Sequence, residues 1–147
     1  NGVQASYVEV DPDTGFVKLL KHWAVEDCGR VLNPKLVDEQ MRGAIVQGIG
    51  GALFEECLYS EDGQLLNGSM ADYLVPMAGE MPDIVVGHVE TPTRTSELGA
   101  KGAGEAGTAG APGAVMNAIN DALASLGANV SVQPFTPQRV LQALGKI

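Results

Sequence analysis

The chain of 147 residues has few basic residues, few aromatic residues and no long hydrophobic run. Nine Lys and Arg stand against 18 Asp and Glu, which gives a net charge of −9 at neutral pH. Because most of the surface would repel a phosphate backbone, nucleic-acid binding is disfavoured. No apolar stretch approaches the roughly 20 residues of a bilayer-spanning helix, so we predict no membrane span.

Cysteine is also scarce. Cys28 and Cys57 are the only two, and their spacing matches neither a zinc site nor a disulfide scaffold. This usage fits a reducing compartment. The N-terminal segment Asn1–Gln4 has neither an initiating Met nor the basic region of a signal peptide, so we expect a fragment or a processed chain.

Glycine, in contrast, is abundant. It accounts for 19 of the 147 residues, nearly twice the average share of about 7%, and it is clustered. The chain is long enough for one packed core, and 45% of its residues are hydrophobic. We therefore predict a single domain, or a fragment of a larger subunit, over residues 1–147.

The hydrophobic pattern predicts an α+β fold made of β-hairpins and glycine-rich amphipathic helices, without βαβ alternation. Two β-rich runs, Val3–Val10 and Phe16–Val25, flank Asp11–Gly15, where Pro and Gly favour a tight turn. The remaining predicted elements are a hairpin-like turn at Ser60–Gly63, strands at Ala71–Val75 and Ile84–Thr91, and helices at Ala114–Leu126 and Thr136–Leu144.

A long amphipathic helix is predicted from about Pro34 to Leu58. Its interior contains Gly43, Gly48, Gly50 and Gly51, and each glycine costs ~1 kcal/mol relative to Ala in a helix. Close packing against another backbone is the expected compensation. Approach to a ligand is the alternative.

The segment Gly99–Thr108 is the sharpest local signal for chemistry. Gly102, Gly104 and Gly107 match the dinucleotide fingerprint G-x-G-x-x-G, but the preceding segment is polar and Glu105 would repel a pyrophosphate. We therefore reject a nicotinamide site. What remains is a carboxylate in a glycine turn ahead of a helix, where N–H groups suit an anion and the carboxylate can act as a base.

From residue chemistry alone, a helix-capping Glu105 in a mobile Gly/Ala loop is favoured over a catalytic one, and the choice between them stays open. The other candidates are weaker. His22 and His88 have no partners at metal-ligand spacing, and Cys28 has no base nearby that could activate it. We assign them no catalytic role and predict no metal ligands among the side chains.

Five segments of the chain occur in an order typical of one enzyme family. They are Asp27–Pro34, Gln47–Glu56, Asp72–Pro76, Gly99–Glu105 and Asn117–Leu123. Together they closely resemble the C-terminal part of the molybdenum-binding large subunit of the xanthine dehydrogenase, aldehyde oxidase and carbon monoxide dehydrogenase family. The similarity extends from about Tyr7 to Leu144, and the ordered set is far more specific than any single segment.

The resemblance implies a molybdenum hydroxylase that oxidises an aldehyde or an N-heteroaromatic compound with oxygen derived from water. It implies that Glu105 is the catalytic base, and that Lys101, Gly102, Ala103 and Gly104 lie against the cofactor. The implied cofactor is molybdopterin with Mo, as the cytosine dinucleotide form, in a cytoplasmic enzyme.

The resemblance also implies partners. These are the rest of the molybdenum subunit, together with iron–sulfur and flavin (FAD) domains or subunits that remove electrons. The chain departs from the family where Glu39 replaces the usual glycine before Gln40, which puts a local packing or cofactor contact in doubt.

Two further expectations concern the chain by itself. Without the rest of the subunit it cannot form a complete active site, and its uncovered apolar surface should cause self-association. The alternative function is a non-catalytic structural or interaction module of the same fold.

Overall fold

The computed structural model describes all residues, 1–147, as a three-stranded sheet with three α-helices. The elements in chain order are β1 (Gly2–Val10), β2 (Val17–Glu26), α1 (Pro34–Leu53), a 3₁₀ turn (Ala78–Glu80), β3 (Ile84–His88), α2 (Ala106–Ala124) and α3 (Pro137–Ala143). This mixed architecture confirms the predicted α+β class. None of the helices combines the length and apolarity needed to cross a lipid bilayer.

The predicted hairpin is present. β1 and β2 pair antiparallel, with an irregularity in register between Tyr7 and Val8. The turn between them closes through two backbone hydrogen bonds, Asp11 N–H to Phe16 C=O at 2.9 Å and Gly15 N–H to Asp11 C=O at 2.8 Å. Gly15 has φ of 73°, a backbone conformation that glycine adopts without strain.

The prediction of no βαβ alternation is wrong. β2 lies in the centre of the sheet and pairs in parallel with β3, and α1 forms part of the crossover between them. The sequence pattern does not reveal this unit because the 30 residues between α1 and β3 contain no further α-helix or strand. An irregular stretch of that length hides the return of the chain to the same sheet.

Helices α1 and α2 pack against each other, and α2 also packs against β1. Asn33 caps α1 by accepting a hydrogen bond from the Leu36 N–H at 3.3 Å, and Pro34 follows at the first helical position. The fully buried side chains of both helices meet the sheet in one core, which includes Ile45, Ile49, Val115, Ile119 and Leu123.

The expected backbone packing of the α1 glycines is confirmed for Gly48. A Cβ built there would lie 2.7 Å from the Thr108 carbonyl oxygen and 2.9 Å from Ala111 Cβ, both in α2. Gly50 is crowded by the side chains of Glu55 and Pro76. Gly43 and Gly51 have open space, so the expectation is wrong for those two.

Helix α2 begins at Ala106, eight residues before the predicted start at Ala114. The early turns contain Gly107, Gly110 and Pro112, which local propensity disfavours in a helix. Gly107 fits against α1, where a Cβ would lie 2.7 Å from the Met41 carbonyl oxygen and 2.8 Å from the Ile45 nitrogen. Tertiary packing therefore offsets the local penalty.

The segment between α1 and β3 contains the turn predicted at Ser60–Gly63, where Tyr59 and Leu65 form an isolated antiparallel bridge. The strand predicted at Ala71–Val75 is wrong. That stretch begins in a turn in which the Tyr73 N–H donates to the Ser69 carbonyl at 2.8 Å, and the Tyr73 hydroxyl donates to Glu55 at 2.8 Å.

The C-terminal helix α3 begins at Pro137, with Thr136 accepting from the Arg139 N–H, as predicted. The segment before it is tied to α1 by the Phe135 N–H, which donates to the Ala52 carbonyl at 2.7 Å. Arg139 also pairs with Glu56 at 2.6 Å. These contacts fix the C-terminal segment beside the end of α1.

Candidate functional site

An open concavity of about 700 Å³ lies where β1, the end of β2 and the N-terminus of α2 meet. It is lined by Asn1, Gly2, Gln4, Glu26, Gly102, Gly104, Glu105, Ala106, Ala109 and Gly110. Three of the predicted site residues, Gly102, Gly104 and Glu105, are therefore in one place. The concavity is the candidate site.

Glu105 occupies the N-cap position of α2, with φ −109° and ψ 9°. Its side chain is exposed and makes no capping hydrogen bond, so the interpretation of Glu105 as a helix cap has no support in the structure. The carboxylate is free to accept a proton or a hydrogen bond from a group bound in the concavity.

The backbone around Glu105 is held in place although its carboxylate is free. Gln40, on α1, donates from Nε2 to the Gly104 carbonyl at 2.8 Å. Gln4, on β1, donates from Nε2 to the Gly107 carbonyl at 2.9 Å. Two glutamine amides therefore fix the residues on either side of Glu105.

The glycine turn before Glu105 offers unused donors. Within the chain, none of the backbone N–H groups of residues 102–105 donates a hydrogen bond. A Cβ added to Gly102 or Gly104 would meet nothing within 4 Å, and neither glycine has a positive φ. Nothing in this chain requires glycine at the two positions, whereas an anionic group seated against the backbone would.

Lys101 lies outside the lining of the concavity, unlike Gly102 and Gly104. Its Nζ lies 3.0 Å from Asp27 Oδ2, and its backbone N–H donates to the Cys28 carbonyl at 2.7 Å. Hydrogen bonds from Thr91, from the Gly29 N–H and from Lys101 hold the pKa of the Asp27 carboxyl well below its usual 3.8. The lysine thus anchors the glycine turn to the end of β2 and does not line the concavity. Ala103, between the two glycines, is half-buried and is also absent from the lining.

Glu26 is a second carboxylate in the concavity, and no sequence motif marks it. Its side chain is only 6% exposed. No Lys or Arg side chain lines the concavity. A pyrophosphate in the concavity would therefore meet two carboxylates and no basic side chain. A dinucleotide fingerprint also requires a strand directly before its glycines, and no strand directly precedes Gly102.

The other sequence candidates lie outside the lining of the concavity. His88 pairs with Asp38 at 2.6 Å, and Cys28 is a buried residue. His22 is fully buried and hydrogen-bonded to Ser6 and Gln4. No group of three or more His, Cys, Asp or Glu side chains is arranged to hold a metal ion.

The residue that departs from the family pattern lies at the surface. The Glu39 side chain is 73% exposed and pairs with Arg42 at 2.9 Å. The neighbouring Gln40 side chain still reaches the Gly104 carbonyl. The substitution before Gln40 therefore leaves this link intact.

A family model described as molybdopterin cofactor-binding domain matches residues 1–82, more than half of the chain. The chain belongs to this family. Gly102, Gly104 and Glu105 lie beyond the matched residues, but they share the concavity with Gln4 and Glu26, which lie within them.

Several relatives are named as the large subunit or large chain of an enzyme. The chain is 46% identical over 97% of its length to the nicotine 6-hydroxylase large subunit of Paenarthrobacter nicotinovorans, and covers 18% of that protein. It is 32% identical over 95% of its length to the carbon monoxide dehydrogenase large chain of Afipia carboxidovorans, and covers 17% of it.

The fold agrees with solved structures of the same family. Quinoline 2-oxidoreductase from Pseudomonas putida superimposes with a TM-score of 0.91 at 42% identity over 95% of this chain and 18% of that one. The family resemblance is thereby confirmed. The chain spans less than a fifth of the length of these relatives.

Proposed function

We propose that this chain is part of the large subunit of a molybdenum hydroxylase and supplies its catalytic base, Glu105. The observation that carries the proposal is the free carboxylate of Glu105 in the concavity, next to a glycine turn whose N–H groups have no partner in the chain. An acceptor for a proton and donors for an anionic group are thus adjacent, as an acid–base site beside an anionic cofactor requires.

The residues present fit molybdopterin. Gly102 and Gly104 would let the cofactor approach their backbone, Ala103 would add an N–H donor between them, and Lys101 would hold this turn through Asp27. When bound, the cofactor supplies the oxygen-transfer and two-electron redox chemistry of the reaction. We propose the cytosine dinucleotide form, with its pyrophosphate outside the concavity, because Glu26 and Glu105 would repel it there.

Glu105 removes a proton from the water-derived oxygen that is transferred to the substrate. A carboxylate does this when it is ionised, unpaired and within hydrogen-bond distance of the proton. The fixed backbone on either side limits where the carboxylate can go, through the links from Gln40 and Gln4. The position of the carboxylate, set by the backbone links on either side, therefore defines its role.

We propose an N-heteroaromatic substrate ahead of an aldehyde. Two relatives are named for nicotine and quinoline, whose rings contain nitrogen. Another relative is named as a subunit of a dehydrogenase complex, which supports partner subunits. We propose that these partners carry the iron–sulfur and FAD centres. A non-catalytic module is not favoured, because the relatives are named as enzymes.

The test is Glu105→Gln in the complete large subunit, assembled with its partners. Turnover should fall by about 10²- to 10⁴-fold, the usual effect of losing a general base, while the Mo content stays unchanged. Glu97→Gln is the matched control, since it makes the same charge change in an exposed residue outside the concavity. Turnover of Glu105→Gln close to that of the control would refute the proposal.

A further inference from the structure

A buried histidine lies behind the candidate site and has no assigned role. His22 is on the central strand β2 and is fully buried. Its Nδ1 lies 2.9 Å from Ser6 Oγ, and its Nε2 lies 3.0 Å from Gln4 Oε1. Both partners are on β1, the strand that pairs with β2, so the imidazole is held by hydrogen bonds to the neighbouring strand of the hairpin.

Gln4 connects this histidine to the first turn of α2. Its Nε2 donates to the Gly107 carbonyl at 2.9 Å and lies 3.4 Å from the Ala106 carbonyl. Gly110 leaves room for the amide, because a Cβ there would lie 2.8 Å from Gln4 Nε2. The half-buried Gln4 side chain therefore lies between His22 and the residues that follow Glu105.

The hydrogen-bond chemistry allows one assignment of donors. The carbonyls of Ala106 and Gly107 only accept, so the amide nitrogen of Gln4 faces them and Oε1 faces His22. His22 must then donate through Nε2–H, and Nδ1 accepts from the Ser6 hydroxyl. The result is a directed chain of hydrogen bonds from Ser6 through His22 and Gln4 to the turn after Glu105.

We propose that His22 and Gln4 are positioning residues that hold the first turn of α2 so that the Glu105 carboxylate stays in the concavity. The proposal rests on the proposed role of Glu105 as the base. His22 does not line the concavity and acts only through Gln4. A displacement of the turn by a fraction of an ångström would move the carboxylate away from the proton that it accepts.

The decisive comparison is His22→Met against His22→Gln in the complete, cofactor-loaded enzyme. Met fills similar space without a donor, whereas the Gln amide can donate from the position of Nε2. His22→Met should lower kcat by about 10- to 100-fold with KM and Mo content unchanged, as a small misplacement does. His22→Gln should recover at least half of that loss on a logarithmic scale.

A readout independent of activity is hydrogen–deuterium exchange of the peptide that covers residues 106–116. Exchange should be faster in His22→Met than in the wild type, and closer to the wild type in His22→Gln, with β2 peptides unchanged. Equal exchange and equal kcat in the two variants would overturn the proposal, because packing alone would then explain His22.

Gln4→Met keeps the proposal testable if His22→Met folds poorly, and a double variant tests the dependence on Glu105. Gln4→Met removes the same link at its other end and should reproduce the loss of kcat and the faster exchange. In a Glu105→Gln background, His22→Met should cause no additional loss, because the carboxylate that it positions is already absent. A full additional loss in that background would overturn the positioning role, whereas normal turnover of Glu105→Gln alone refutes the proposed function itself.

Discussion

Asp27 and Lys101 show how single residues build this site without touching its cavity. The Asp27 carboxylate accepts from the N–H groups of Gly29 and Thr91 and from the Lys101 ammonium, so three segments of the chain meet at one side chain. A carboxylate with several donors holds its charge down to low pH. These hydrogen bonds fix the start of the glycine turn to the segment that follows β2.

His22 has a consequence for the pH dependence of stability. Burial lowers the pKa of His22 to about 4 from its usual 6.5, so the unfolded chain binds a proton more readily than the folded chain. Above pH 6.5 both states are neutral and His22 has no effect. Between pH 6.5 and 4 it should reduce the free energy of unfolding by up to about 1.4 kcal/mol per pH unit.

Urea unfolding of the chain at a series of pH values measures this slope. His22→Gln is the control, because it keeps Asp11 and Asp27, whose pKa values are lowered by hydrogen bonds, and removes only the titrating imidazole. The slope of the wild type should exceed that of the variant in this interval. Identical slopes would contradict a neutral, buried His22.

Some site residues were predictable from the sequence and others were not. Gly102, Gly104 and Glu105 are adjacent in the chain, so their pattern is visible without a fold. Gln4 contacts a carbonyl 103 residues away, and Gln40 contacts one 64 residues away. A glutamine has no spacing rule that would reveal such a contact, and only the packing of β1 and α1 against the turn creates it.

At the level of elements, the interface between α1 and α2 decides where the second helix begins. The hairpin, the Thr136 cap and the start of the first helix follow local chemistry, and they were predicted within a few residues. The start of α2 was not predicted, because glycine and proline have low helix propensity, whereas the packing that offsets this penalty comes from contact with α1. The parallel pairing of β2 with β3 was not predicted either, because a long irregular segment lies between α1 and β3.

Two glycines in α2 give a matched test of this interface. Gly107→Ala should destabilise the fold by about 1–3 kcal/mol, because its Cβ would lie 2.9 Å from Ala44 Cβ and closer still to the α1 backbone. Gly113→Ala, in the same helix, meets nothing within 4 Å and should stabilise the fold by about 0.5–1 kcal/mol. Thermal or urea unfolding of both variants checks the opposite signs, and stabilisation by Gly107→Ala similar to that by Gly113→Ala would show that packing at Gly107 is unimportant.

For the molecule as a whole, the main unexplained feature is its exposed apolar surface. Two adjoining depressions of about 420 and 330 Å³ share Phe16, Val17, Leu53 and Phe54. Around them, Phe16, Leu74 and Met77 are each more than 60% exposed. Apolar surface of this kind favours association in water, and the net charge of −9 opposes it.

The chain by itself should therefore self-associate, and more strongly as salt screens its charge. Sedimentation equilibrium at increasing protein and salt concentration should show a mass above that of the 15.3 kDa monomer. Leu74→Glu with Met77→Glu should shift the chain towards the monomer, because both side chains lie in the exposed apolar surface. Leu36→Glu with Leu126→Glu is the control, since it adds the same two charges at exposed leucines away from both depressions and should leave the association largely unchanged. A monomer at high concentration and high salt would contradict the prediction, and equal dissociation by both pairs would assign the effect to net charge instead of to this apolar surface.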